Sequence, residues 1–140
     1  MRHVVFRLEK DRYALPLDAV REVVVAPERY SRVPHAGPSV KGGMTLRGRV
    51  VPVVDLARLL TLPPREASPA ASKVVLLELS RRDLGLLVTE VEGIEPIEKV
   101  GPQPRSSRLV RGVTRVGAVA VTVLDLDGLD AAVAASFANG

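Results

Sequence analysis

Apolar side chains occupy every second position near the start of the chain, at Val4, Phe6 and Leu8. A period of two is typical of a strand that buries one face. A short polar stretch interrupts the alternation, which then resumes. Residues 3–17 therefore predict a β-hairpin.

Turn and cap signals predict the rest of the first half. The predicted elements are a helical turn at residues 16–20, a strand at 23–25, a long ordered loop at 27–43, a second hairpin at 44–54 and a short helix at 55–60. The second hairpin turns at Arg47-Gly48-Arg49, and Asp55 is placed as the N-cap of the helix. Residues 61–72 are rich in Pro, Ala and Ser, which predicts a linker.

The second half of the chain repeats the pattern of the first. A shift of 71 aligns the first hairpin with a second one, and a shift of 70 aligns residues 51–59 with residues 121–129. A shift of 64 aligns the Arg-Gly of residues 46–48 with that of residues 110–112. Any two hairpins look alike at a period of two, but the same order of elements recurs at half the chain length. We therefore interpret the chain as an internal duplication.

The duplication predicts an architecture. Each half contains about five short strands, which suits a small closed barrel. Two barrels in 140 residues have to share a core, because each alone is marginal at that size. Leu126, Leu129, Val133 and Phe137 lie at helical spacing and predict a C-terminal helix over residues 125–138. The expected fold class is mainly β, with two five-stranded barrels, short helices and no parallel strands.

One domain covers residues 1–140 in this interpretation, with repeat halves at about 1–60 and 73–129 and the linker 61–72 on the surface between them. The composition, 46% hydrophobic and 26% charged, is typical of a folded globular domain. No apolar run approaches the roughly 18 residues of a membrane helix, so direct membrane insertion is not expected. Charge interrupts the first residues, unlike a signal peptide, and the cytoplasm is the expected compartment.

The net charge of +4 raises the alternative of a basic double barrel that binds nucleic acid. Single-strand binding needs several aromatic side chains on one face, and the chain has only four. The arginines are also dispersed along the chain rather than clustered. A solvated basic surface is the better interpretation, and no nucleic-acid partner is expected.

Catalytic chemistry finds little support in the sequence. The chain has no cysteine, and neither of its two histidines, His3 and His35, has a neighbour at metal-ligand spacing. Asp55 and Asp125 are candidates for an acid–base pair. Each lies at the start of a predicted helix, however, which favours a role as helix cap. We therefore expect no enzyme activity, no metal and no cofactor, and a module that binds other proteins.

Two long stretches carry a resemblance to a known family. Residues 6–23 (FRL…YALPL…VREV) and 41–56 (KGGMTLRGRVVPVVDL) resemble the CheW family of chemotaxis coupling proteins, as do residues 85–94 and 110–126 of the second half. The resemblance covers almost the whole chain, from about residue 4 to residue 129. It implies two SH3-like barrels and a non-enzymatic adaptor of a bacterial chemosensory array.

The resemblance also implies partners. A CheW-like adaptor joins the cytoplasmic tip of a chemoreceptor to the regulatory domain of the CheA histidine kinase, and other CheW-like domains are further candidate partners. By position, Val20, Glu22, Gly42 and Arg47 match receptor-binding residues of the family. A buried or half-buried Arg47 needs a carboxylate, and Glu22 is the matching acid.

The connection over residues 101–108 is a few residues shorter than the family leads us to expect. The candidate kinase contacts in it are Gln103, Arg105 and Arg108, and a shorter loop offers less contact area. The alternative function is therefore an accessory paralogue that binds receptors and couples weakly or not at all to the kinase.

Overall fold

The computed structural model describes residues 1–63, 72–102 and 107–137. The strands are β1 (Arg2–Leu8), β2 (Asp11–Pro16), β3 (Val20–Val25), β4 (Val40–Leu46), β5 (Arg49–Asp55), β6 (Lys73–Leu79), β7 (Arg82–Val88), β8 (Glu90–Pro96), β9 (Val110–Val116) and β10 (Val119–Leu124). The helices are a 3₁₀ turn (Leu17–Ala19), α1 (Leu56–Leu59) and α2 (Leu126–Phe137).

Across the described residues these strands form two five-stranded sheets, which we call barrel A and barrel B. Barrel A has the order β8-β1-β2-β10-β9, and barrel B has the order β3-β6-β7-β5-β4. The predicted fold class, mainly β with two five-stranded barrels and a C-terminal helix, is confirmed.

Each barrel takes strands from both halves of the chain, so the expectation of one barrel per half is wrong. The hairpin β1–β2 lies among strands of the second half, and β6–β7 lies among strands of the first half. In each hairpin one apolar face, with Phe6 in the first and Leu77 in the second, joins a core common to both barrels. Both exchanged hairpins therefore contribute to the same core.

The expectation of no parallel strands is also wrong. β2 runs parallel to β10 in barrel A, and β5 runs parallel to β7 in barrel B. The exchange of hairpins makes neighbours of strands that are not joined by a hairpin turn. No turn therefore imposes an antiparallel direction on these pairs. All other strand pairs in the two sheets are antiparallel.

A pair of equivalent bridges closes the two barrels. In barrel B, Ser31 exchanges backbone hydrogen bonds of 2.8 Å with Gly43 of β4. In barrel A, Gly101 does the same with Val113 of β9, at 2.9 and 3.0 Å. Both partners are related by a shift of 70, the same shift that aligns residues 51–59 with residues 121–129.

The alignment at a shift of 64 is wrong. The 70-residue shift relates residues 110–112 at the start of β9 to residues 40–42 at the start of β4. Arg47-Gly48 instead forms the two-residue turn between β4 and β5, with φ of 48° and 78°. The two Arg-Gly dipeptides therefore occupy different structural positions, one in a turn and one in β9. The predicted loop over residues 27–43 accordingly ends earlier, where β4 begins at Val40.

Aspartates cap both helices as predicted. The Asp55 carboxylate accepts a hydrogen bond of 3.5 Å from the Arg58 N–H, and Asp125 Oδ1 accepts one of 3.0 Å from the Gly128 N–H. These positions explain both residues as caps, which removes the basis for an acid–base pair. Residues 64–71 of the predicted linker lie outside the described residues.

The buried side chains of the described residues form a shared core and one small core inside each barrel. Barrel A is filled by Val5, Ala14, Ile97, Val121 and Val123. Barrel B is filled by Met44, Val51, Val53, Val74 and Leu76. The shared core between them includes Phe6, Leu15, Val54, Leu56, Val75, Leu77, Leu86, Leu124, Leu129 and Val133. The predicted sharing of a core is thus present, and α2 covers it through Leu129 and Val133.

Candidate functional site

The end of barrel B opens into a cavity of about 180 Å³. We call its rim and floor the barrel B mouth. It is lined by Arg21, Glu22, Leu46, Arg47, Arg49, Val51, Leu76, Leu77 and Asp83. The floor is apolar because it is the end of the barrel B core, and the rim is charged. A site of this kind presents an apolar contact bordered by groups that orient a partner.

Arg47 and Glu22 form an ion pair across this mouth. Arg47 Nη2 lies 2.6 Å from Glu22 Oε1 and 2.9 Å from Oε2. The turn holds the Arg47 backbone at positive φ and directs its side chain towards β3. The pairing suggested by the sequence is present, but the expected burial is wrong, because the Arg47 side chain is 68% exposed. Such a pair stabilises the fold by at most about 1 kcal/mol.

Further arginine–carboxylate pairs surround the first. Arg49 of β5 pairs with Asp83 of β7. Arg21 of β3 pairs with Glu78 of β6 at 2.8 Å. All three arginines of these pairs expose most of their side chains, so their charges remain available to a partner. Sequence reasoning missed the second and third pairs, because cross-strand neighbours depend on register.

Val20 and Glu22 do not share a surface. A β-bulge at Arg21 shifts the register, so that Val20 lies opposite Leu77 and Glu22 lies opposite Leu76. Leu77 belongs to the shared core and Leu76 to the barrel B core. Val20 therefore packs against the shared core, whereas Glu22 lies at the barrel B mouth.

Gly42 supports the barrel closure. It is buried with φ of 145°, and a Cβ added to it would lie 2.6 Å from Tyr30 Cβ and 2.7 Å from the Ser31 carbonyl oxygen. The closing bridge from Ser31 to Gly43 lies next to it. The structure therefore places Gly42 as a backbone element behind the mouth, with no side chain to offer a partner.

A second surface lies where the two barrels meet. β3 is the edge strand of barrel B beside β6, and β8 is the edge strand of barrel A beside β1. We call the surface formed by these two edge strands the inter-barrel groove. Val23 of β3 lies opposite Val75 of the shared core, and Ile94 of β8 lies opposite Val4. Val23, Val25 and Ile94 are 38%, 69% and 53% exposed. Sequence reasoning missed these exposed apolar residues, which a strand pattern alone assigns to a core.

The mouth of barrel A carries a related arrangement around a cavity of about 150 Å³. Glu92, which a shift of 70 relates to Glu22, lies 2.9 Å from Arg12 Nε and 3.6 Å from Arg7 Nε. Its arginine partners come from β1 and β2, whereas those of Glu22 and Asp83 come from the β4–β5 turn and from β5. The two repeats thus share a glutamate at this position, Glu22 and Glu92, but its arginine partners come from different strands.

The three candidate kinase contacts are not brought together by the described structure. Gln103 and Arg105 lie outside the described residues. Arg108 is exposed beside the start of α2, where its carbonyl oxygen would lie 1.6 Å from a Cβ added to Gly128. Weak kinase binding through a short loop therefore stays a prediction.

Two barrels with charged mouths and exposed apolar residues on their edge strands are typical of a protein-interaction module. Comparison with known proteins identifies its family. The sequence model of the CheW-like domain matches residues 2–133, so the chain belongs to the CheW family. Members of this family are scaffold and adaptor proteins of chemotaxis. Among the described residues, no helix is long and apolar enough to span a membrane.

Individual relatives agree with this assignment. A probable chemotaxis protein CheW of Rhizobium etli is 28% identical over 134 residues, which cover 90% of this chain and 84% of the relative. The protein PilI of Pseudomonas aeruginosa is 32% identical over 102 residues, covering 70% of this chain and 55% of PilI. The solved scaffolding protein TtCheW of Thermoanaerobacter tengcongensis superposes with a TM-score of 0.78 at 26% identity, covering 89% of this chain and 88% of that one.

Proposed function

We propose that this protein couples the cytoplasmic tip of a chemoreceptor to the regulatory domain of a CheA-type histidine kinase. The observation that carries the receptor part is the exposure of three apolar residues on the edge strands of the inter-barrel groove, Val23, Val25 and Ile94. A groove of this kind suits an amphipathic helix that lays its apolar face against it. Binding to receptor tips would recruit the protein to receptor clusters.

The barrel B mouth supplies orientation in this proposal. Its arginines Arg47 and Arg49 are exposed although each is already paired with a carboxylate. Charged rim groups fix the register of a partner more than they add affinity. The mouth and the groove meet at β3, which contributes Glu22 to one and Val23 to the other.

A pull-down with two separate partners tests the proposed coupling. The full chain is immobilised and offered a soluble receptor-tip hairpin in one lane and a CheA regulatory domain in another, both from the same organism. Retention of both partners supports the coupling function. Retention of the receptor tip alone supports the accessory paralogue with its short 101–108 connection. Retention of neither partner contradicts the proposal.

Arg47→Ala is expected to weaken binding of the receptor tip by about 1–3 kcal/mol, the range for a charge-assisted contact at an interface. Because Arg47 is 68% exposed, the same change lowers stability by no more than about 1 kcal/mol. Calorimetric titration together with a thermal melt separates the two effects. Arg58→Ala, at an exposed arginine of α1, is the control. Unchanged affinity in the folded Arg47 variant excludes the mouth from the receptor contact.

A further inference from the structure

The chain crosses between the barrels twice, and the two crossings differ. From β2 to β3 it passes through the 3₁₀ turn Leu17–Ala19. From β7 to β8 it passes through a single residue, Thr89, because β7 ends at Val88 and β8 begins at Glu90. A one-residue crossing leaves the backbone little freedom to adjust the distance between barrels.

Hydrogen bonds fix this short crossing on the barrel A side. The Thr89 N–H donates to the Arg7 carbonyl oxygen at 2.9 Å, and the Glu9 N–H donates to Thr89 Oγ1 at 2.8 Å. Thr89 is therefore held at the end of the β1–β2 hairpin by both its backbone and its hydroxyl.

An ion pair joins the two barrels next to this crossing. Lys73 Nζ of β6, in barrel B, lies 3.2 Å from Glu90 Oε2 of β8, in barrel A. The Lys73 side chain is 27% exposed, well below the 68% and 71% of Arg47 and Arg49 at the barrel B mouth, and the Glu90 side chain is 34% exposed. Glu90 Oε1 also accepts a hydrogen bond of 3.0 Å from the Val91 N–H. That bond, the Lys73 ammonium and the nearby Arg7 hold the pKa of Glu90 below its usual range, so the carboxylate is charged at neutral pH.

The ion pair also lies at one end of the inter-barrel groove. Lys73 is the strand partner of Val25, the most exposed apolar residue of the groove, and the Ala26 N–H donates to the Ser72 carbonyl oxygen at 3.0 Å. A shift of 70 relates Glu90 to Val20, so the repeat has an apolar residue at the position equivalent to Glu90.

We propose that Lys73 and Glu90 form a positioning pair that sets the spacing of β3 and β8 at the Val25 end of the inter-barrel groove. The shared core resists large movements of the barrels, so the effect of the pair is local to this end. Since a preorganised groove binds a rigid helix with less ordering cost, the pair also favours receptor binding. That second consequence rests on the proposed function, whereas the spacing itself does not.

Spin labels measure the spacing without any partner. The chain has no cysteine, so Lys10→Cys and Glu28→Cys introduce two exposed label sites, one beside the Thr89 crossing and one after β3. We expect one narrow distance distribution in the parent and in Lys73→Arg, which keeps the charge. Lys73→Met and Glu90→Gln broaden or shift it, and combining them adds little, because both remove the same interaction. Glu78→Gln, which breaks a pair inside barrel B, leaves it unchanged.

Titration of the same variants with the receptor-tip hairpin gives the second readout. Lys73→Met and Glu90→Gln are expected to weaken binding roughly three- to tenfold, and Lys73→Arg to restore it. An unchanged distance distribution in folded Lys73→Met and Glu90→Gln overturns the positioning pair, whatever the titration shows. A parent protein that does not bind the hairpin overturns the proposed function and leaves the distance result to decide the spacing. Altered spacing with unaltered affinity overturns the link between the two.

Discussion

Gly42→Ala is expected to lower the free energy of unfolding by about 2–4 kcal/mol, which corresponds to a fall in Tm of roughly 10 °C at this chain length. The residue has φ of 145°, a backbone conformation that residues with a side chain rarely adopt. A Cβ added to it would lie 2.6 Å from Tyr30 Cβ. Relief of that contact has to move the segment that closes barrel B through Ser31. Chemical denaturation of both proteins measures the difference.

Gly48→Ala is the matched control for this prediction. Gly48 also has positive φ, at 78°, but no atom lies within 4 Å of its added Cβ. We expect this variant to lose about 1 kcal/mol from the backbone conformation alone. Equal losses at the two positions would show that close packing against Tyr30 and Ser31 does not matter. If the Gly42 variant keeps its stability but fails to bind the receptor tip, Gly42 lies in the receptor contact.

The local elements of this fold are predictable from the sequence, because hairpins and caps depend on neighbouring residues. The alternation around Phe6 and the aspartates at positions 55 and 125 predict β1 and the starts of both helices. The exchange of hairpins between halves is a different matter. Each hairpin has one apolar face that packs equally well in either barrel, so periodicity cannot decide which barrel receives it.

The site shows the same division between local and long-range information. The family resemblance places Glu22 and Arg47 together, and the structure pairs them at 2.6 Å. The bulge at Arg21, which turns Val20 away from Glu22, follows from pairing with β6 and leaves no mark in the sequence of β3. The exposure of Ile94 also depends on which strands pack around it. Its residue type and its position in the strand pattern would both suit a core. Exposed apolar residues on a strand therefore had to be found in the structure.

Lysine substitutions in the inter-barrel groove are expected to have the largest effect on function. Val25→Lys and Ile94→Lys should each lower affinity for the receptor tip at least about tenfold, because they place a charge where an apolar helix face is to be buried. Both residues are already more than half exposed, so the folded state loses little. We expect the free energy of unfolding to change by no more than about 0.5 kcal/mol.

Val50→Lys is the control that makes this result specific to the groove. Val50 is an apolar strand residue with 64% exposure, close to that of Val25, but it packs beside Gly43 on another side of barrel B. Its substitution should leave affinity for the tip unchanged. Loss of binding in all three lysine variants would indicate a general effect of added positive charge, which high salt would alter to a similar extent in each. Full binding by folded Val25→Lys and Ile94→Lys would show that the receptor tip does not occupy the inter-barrel groove.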